Sequence, residues 1–302
     1  KNKLWYFINK KNFLNMDKVK KNRAICYVAF GDLYIAQALL SIKSLRKIDN
    51  STKIILVTNI NFNLNKINYW DKNRDKILVF PESLTKNRNY KTNIDRYVEA
   101  EKAAYIDSDT IVLNKFDKAW DFLDYFDICF KFNPVTQKKP GKGDVQILNK
   151  KFKVKELPHF NGGMFFFKKS QSTKDFFKTW NESFKRHNSP YDQISLNESL
   201  FASRVRVLPL TSEWNYFPDL NYFKGKVRNP IILHYTNRIS YVIENELLNI
   251  AKKTNLNLGN IKKKIIERRI ERKKKIGRLE WYKLKLCWIV MYNHEKKRLN
   301  LN

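Results

Sequence analysis

The sequence predicts an α/β protein whose mixed, mostly parallel sheet is flanked by helices and followed by a basic helical extension. Three observations lead there. Short unbroken apolar runs alternate with helical periodicity over the first hundred residues. Of the 302 residues 43% are hydrophobic and 14% aromatic, enough to build a substantial core. Charge gathers toward the C-terminus: residues 252–302 hold 17 Lys and Arg against 4 Asp and Glu, in a chain of net charge +31. The expected organisation is a basic lead-in over 1–23, one domain over 24–250 and a basic, aromatic extension over 251–302.

The elements follow in order. Ile25 to Phe30 is a continuous apolar run, the mark of a strand buried on both faces, and Gly31-Asp32 ends it in a loop. Ile35, Ala38, Leu39, Ile42 and Leu45 then recur at helical spacing until Asp49-Asn50 breaks the pattern. Strands are predicted again at Ile54–Val57 and at Ile77–Phe80, the latter stopped by Pro81. A helical stretch through Ile94, Tyr97 and Val98 leads to a strand at Ala103–Ile106. Beyond residue 110 the alternation loosens. Ile128-Cys129-Phe130 reads as a strand, and the basic stretch from Asn133 to His159, with prolines and glycines among its lysines, reads as a long surface excursion. Met164–Phe167 is a further strand, Phe176, Phe177, Trp180 and Phe184 mark one face of an amphipathic helix, and Ile231–Leu233 is a last buried strand.

Composition narrows the function. The core content excludes an intrinsically disordered chain, and +31 attracts phosphates, nucleic acid or an anionic membrane surface. Cys26, Cys129 and Cys287 lie far apart with no metal-ligand spacing, so neither a disulfide framework nor a structural zinc is expected, and a reducing compartment fits. No run reaches the roughly 18–20 apolar residues of a membrane-spanning helix, and Leu4–Ile8 is too short for the core of a signal peptide. A cytoplasmic protein is expected, peripheral on the cytoplasmic face of a membrane if its tail binds there.

The segment Asp107-Ser108-Asp109 places two carboxylates at the end of a predicted buried strand, where open α/β sheets bind ligands. Such hard oxygen donors suit Mg²⁺ or Mn²⁺ and leave coordination positions for a substrate phosphate. The plainer alternative is that Asp107 and Asp109 cap a turn.

With its flanks Tyr105-Ile106 and Thr110-Ile111-Val112-Leu113, this segment resembles the Asp-x-Asp region of the glycogenin-like and lipopolysaccharide-galactosyltransferase-like glycosyltransferases, family eight. Tyr27 to Tyr34 is similar to that family's first strand and uridine loop, and Lys91 stands sixteen residues before Asp107, as in glycogenin-like enzymes. Phe160-Asn161-Gly162-Gly163-Met164 resembles the strand beside the sugar, and Asp192-Gln193 the family's Asp-Gln pair. Leu208-Pro209 with Trp214-Asn215-Tyr216 resembles a segment before the last strand, and Leu233-His234-Tyr235 carries the metal histidine. The likeness covers residues 24 to about 240, and its strength lies in the joint order of these pieces.

The resemblance implies a GT-A fold, a Rossmann-like sheet flanked by helices, and transfer of a hexose from a nucleotide diphosphate donor, UDP-glucose or UDP-galactose, with retention at the anomeric carbon. It implies Mn²⁺ or Mg²⁺ on Asp107, Asp109 and His234, which would neutralise the departing diphosphate. Asp32, Tyr34, Lys91 and Ser108 would contact the donor, and Asn161, Asp192 and Gln193 would face the transferred sugar. Each has a structural alternative: Asn161-Gly162-Gly163 is a good turn, Asp192 a good helix N-cap, Lys91 an ordinary solvated lysine, His234 an ordinary surface or core residue. One departure stands out. Where the family has a Gly and then Lys-Pro-Trp after the histidine, His234 is followed by Tyr235-Thr236-Asn237-Arg238-Ile239-Ser240-Tyr241, and Arg238 is the candidate replacement cation.

In the extension, Ile261, Ile265, Ile266 and Ile270 among Lys262–Lys264, Arg268, Arg269 and Arg272 make a basic amphipathic helix, and Trp281, Trp288 and their neighbours add aromatic groups. Two readings stay open: an anchor on an anionic membrane surface, or a helix packed on the domain. The partners expected are a nucleotide-sugar donor and a glycan, glycolipid or protein acceptor. Nucleic-acid binding lacks any helix-turn-helix, zinc-finger or stacking-platform signature, and it remains an alternative together with a catalytically inactive scaffold.

Overall fold

The computed structural model describes residues 22–133, 151–153, 158–188, 191–217, 227, 229–236 and 238–275. Most of the Asn133–His159 excursion, most of the lead-in, and the tail beyond 275 with Trp281 and Trp288 lie outside the described residues. Among the described residues no helix is long and apolar enough to cross a membrane.

The chain begins β1 (Arg23–Ala29), α1 (Asp32–Arg46), β2 (Lys53–Thr58), β3 (Lys76–Val79) and α2 (Asn87–Lys91). It continues β4 (Lys102–Ile106), β5 (Thr110–Val112), α3 (Asp117–Tyr125), β6 (Ile128–Asn133), β7 (His159–Lys168), α4 (Gln171–His187) and α5 (Gln193–Ala202). It ends β8 (Val207–Leu210), β9 (Ile232–His234), α6 (Tyr241–Thr254) and α7 (Leu258–Lys275). Seven strands form one sheet in the order β3-β2-β1-β4-β7-β6-β8, in which β7 alone opposes the others. The mixed, mostly parallel sheet read from the apolar runs is present.

Those runs are unbroken because both faces of the sheet are covered. Along β1, Ile25, Tyr27 and Ala29 enter one core while Ala24, Cys26 and Val28 enter the other. In β7, Met164 and Phe166 divide from Phe165 and Phe167 in the same way. Phe176, Phe177 and Trp180 of α4 are fully buried, as their spacing required. Burial pushes the Cys129 thiol up to about 12, and Cys26 also lies buried as a free thiol.

Two expectations need correction. No helix joins β2 to β3; the connection is irregular. The helical stretch through Ile94, Tyr97 and Val98 is two short pieces, α2 and a 3₁₀ turn at Ile94–Tyr97, with Val98 already extended. The last strand is buried as expected, and β9 pairs antiparallel with β5 in a separate two-stranded ribbon. Into the basic extension α6 runs without a break, with Ile250 and Ala251 in the core.

The chain order places the ligand crevice. From β1 the chain runs outward to β2 and β3, then crosses back to β4 on β1's other side, so loops diverge at the carboxyl ends of β1 and β4. Gly31 follows β1 and Asp107 follows β4.

Candidate active site

Two carboxylates and an imidazole meet in that crevice, and the ribbon explains how. Thr110 of β5 stands opposite His234 of β9, and the Tyr235 N–H donates to the Asp109 carbonyl at 3.1 Å. The turn carrying Asp107 and Asp109 is fixed from beneath by buried hydroxyls. Thr110 donates to the Asp107 carbonyl at 2.9 Å and lies 2.8 Å from Ser41 of α1, which in turn meets the Tyr27 hydroxyl at 3.2 Å.

His234 Nε2 lies 3.0 Å from Asp109 Oδ1 and 4.0 Å from Asp107 Oδ2, and one ligand atom from each of the three residues falls within 4.8 Å of the others. Adjacent and opposite ligands of an octahedral ion held at ~2.1 Å are about 3.0 and 4.2 Å apart, so the donor set fits Mg²⁺ or Mn²⁺. The tautomer is fixed by a backbone group three steps away. The Gly163 N–H donates to Asn161 Oδ1 at 2.8 Å, so the Asn215 nitrogen must face that oxygen, as it does at 2.9 Å. The Asn215 oxygen is thereby turned to His234 Nδ1 at 3.2 Å, which carries the hydrogen and leaves Nε2 as the metal-facing atom. The Phe217 ring stacks on the imidazole at 4.4 Å between centroids.

Charge in the crevice is strongly coupled. Burial pushes the Asp109 carboxyl up, but the His234 imidazole beside it, with Arg268 further off, outweighs burial and holds it below the usual carboxylate range. For His234 burial acts downward, and the Asp109 and Asp107 carboxylates overcome it and raise the imidazole's pKa. Tyr105 donates to Asp107 Oδ1 at 2.7 Å, and burial followed by that neighbouring charge drives its phenol well above its ordinary value.

On the sugar side the plainer alternatives give way. Lys91 is 5% exposed, not solvated: its ammonium lies 2.9 Å from Asp192 Oδ2 and 3.4 Å from Asp107 Oδ1, over the Tyr105 ring. Asp192 precedes α5, yet its side chain caps no N–H there. Burial pushes its carboxyl up, and Lys91 and Arg88 pull it below the ordinary range, so it is ionised. Asn161, Gly162 and Gly163 are not a turn but the middle of β7. A Cβ on Gly163 would stand 2.8 Å from His234 Cε1 and 2.9 Å from Asn161 Oδ1, so only hydrogen fits. Gln193 donates its amide to the Phe160 carbonyl, leaving Oε1 as its remaining acceptor.

Val28, Tyr34, Asn87, Arg88, Lys91, Tyr105, Asp107, Ser108, Asp109 and His234 line a cleft of about 220 Å³. Asp32 is directed elsewhere: its carboxylate accepts from the Asn257 N–H at 2.9 Å and from the Asn260 amide at 3.0 Å, tying the start of α7 to the start of α1. Arg238, four residues beyond His234, is 4% exposed, and its backbone N–H closes a turn onto Tyr235. Arg88, whose Nε lies 3.6 Å from Asp192, is a cleft residue the sequence reading missed. Its signal was available: it precedes Lys91 by three, on the same face of a helix. The roles of Asn215 and Tyr105 had no such signal. A larger hollow of about 690 Å³ opens over the β2–β3 connection, but the carboxylate in its wall, Asp75, is buried and already bonded to Arg46 and the Ile54 N–H. The reactive groups are in the smaller cleft.

The sequence profile of the nucleotide-diphospho-sugar transferases matches residues 92–241. No curated protein matches the chain in sequence. The galactosyltransferase LgtC, solved with donor and acceptor sugar analogues, is similar in fold with a TM-score of 0.58 at 16% identity, over 80% of this chain and 99% of that one. The bifunctional glycosyltransferase WbbM gives 0.54 at 18% identity, over 76% of this chain and 51% of that one. GlyE of Streptococcus pneumoniae gives 0.50 at 18% identity, over 72% and 55%. The GT-A fold is thus shared.

Proposed function

We propose that the chain, whose residues 92–241 match the profile of the nucleotide-diphospho-sugar transferases, is a metal-dependent, retaining glycosyltransferase moving a hexose from a UDP-sugar to a glycan, glycolipid or protein acceptor. The observation that carries the metal-dependent reading is the convergence of Asp107 and Asp109, on the turn between β4 and β5, with His234 of β9, 125 residues beyond Asp109, at spacings that suit a divalent ion. When bound, Mn²⁺ or Mg²⁺ supplies a Lewis acid for the charge that grows on the β-phosphate.

The chain's own residues do the rest. Asp107, Asp109 and His234 Nε2 would hold the cation, and Asn215 keeps the imidazole from turning. Tyr34 and Ser108 line the donor side of the cleft. The ionised Asp192 offers an acceptor to sugar hydroxyls and Asn161, whose amide oxygen is already taken twice, offers its amide N–H; Gln193 offers its carbonyl oxygen beside the anomeric carbon, and the negative charge of Asp192 favours oxocarbenium character there. Lys91 and Arg88 keep Asp192 charged and in place. UDP-galactose or UDP-glucose is the donor favoured, the former by the fold shared with a galactosyltransferase. A cytoplasmic location with the tail on an anionic membrane fits the outward Ile266 and Ile270 of α7, set among lysines and arginines.

The deciding experiment is a screen of nucleotide sugars for metal-dependent turnover, paired with thermal melting. UDP with Mn²⁺ raises the melting temperature of the parent chain, and Asp109→Asn removes the rise while its ligand-free melting temperature stays within a few degrees. Equal stabilisation of parent and variant would refute the metal site.

A further inference from the structure

We propose that Arg268 of α7 binds the diphosphate of the nucleotide donor. The assignment rests on the glycosyltransferase reading and adds to it a residue outside the 92–241 match, on a helix whose sequence alone reads as a charged surface.

Two observations meet on this side chain. Its guanidinium lies over the ring of Tyr34, 5.0 Å from the centroid, and Tyr34 lines the cleft beside Asp107 and Asp109. Stacking occupies the face of a guanidinium and leaves its in-plane N–H groups free to grip phosphate. One of those nitrogens, Nη1, is buried and makes no hydrogen bond, a donor in want of an acceptor.

Charge balance gives the reason. Three carboxylates, Asp107, Asp109 and Asp192, meet in or beside the cleft, and both Lys91 and Arg88 are engaged with Asp192. A diphosphate entering with one divalent ion therefore needs a further cation, and α7 presents one on a firm support. Asp32 holds the start of α7, Ile261 and Ile265 are buried along it, and Arg269 reaches Glu244 of α6 at 2.6 Å.

The test is calorimetric titration of the full chain with UDP and, separately, with uridine, at saturating Mn²⁺ and two ionic strengths. Arg268→Gln should weaken UDP roughly 10- to 100-fold, leave uridine unchanged and flatten the salt dependence, with Arg268→Lys recovering part of the loss. Lys263→Gln, exposed on the same helix, should bind UDP as the parent does. The assignment is overturned if Arg268→Gln binds UDP within twofold of the parent, if it loses UDP and uridine alike, or if Arg238→Gln carries the loss instead. A parent chain that binds no UDP overturns the functional reading and this assignment with it.

Discussion

Gly163 shows how closely the site is fitted. It sits in β7 with His234, Asn161 and Asn215 against its backbone, and a methyl group would come within 3.0 Å of all three. We expect Gly163→Ala to cost about 2 kcal/mol of stability and, by displacing His234 and Asn161, to lower turnover roughly 100-fold. Gly162→Ala, whose methyl would meet Leu196 at 3.2 Å and Lys91 Nζ at 3.5 Å, should be milder in both. Initial-rate and melting measurements on the two variants check this, and equal behaviour would disprove the fit. A sequence reading finds Asn-Gly-Gly and thinks of a turn. The reason for Gly163 is the crowding of side chains that arrive from β9 and from the segment before it.

Among elements, the pairing of α4 with α5 decides where Asp192 stands. Glu198 of α5 is 3% exposed and accepts from Ser183 at 2.9 Å and Arg186 at 2.5 Å, with Lys151 and His187 also bonded to it. Burial raises its carboxyl, but the bonds from Lys151, His187 and Ser183 prevail and hold it at about 2, against an ordinary 4.5. A depressed folded-state pKa gives stability that is complete above about 4.5 and is lost as pH falls from there toward 2. Glu198→Gln should therefore cost about 2 kcal/mol at neutral pH and flatten acid unfolding across that window, as followed by circular dichroism. An unchanged acid limb would count against the ion network as the tie between these helices.

At the scale of the molecule, α7 belongs to the domain. Ile261 and Ile265 are buried, and Asp32 and Glu244 hold the helix at two points along its length. A chain ended at Asn255 loses both isoleucines at ~2 kcal/mol each, so its melting temperature should fall on the order of 10 °C; an unchanged value would return α7 to the surface. What the sequence determined by itself is the doubly covered sheet and the presence of each reactive side chain. Unbroken apolar runs have one economical explanation, and carboxylates at a strand's end are visible without coordinates. Tertiary structure decided partnership: it tied Asp32 to the start of α7, buried Lys91 against Asp192, set Asn161-Gly162-Gly163 within β7 and brought Arg268 over Tyr34. The physical reason is that burial and periodicity are local, one-dimensional signals, whereas a charge's partner is chosen by three-dimensional approach between segments as much as 234 residues apart, and among 89 charged side chains no spacing rule names the pair that will meet.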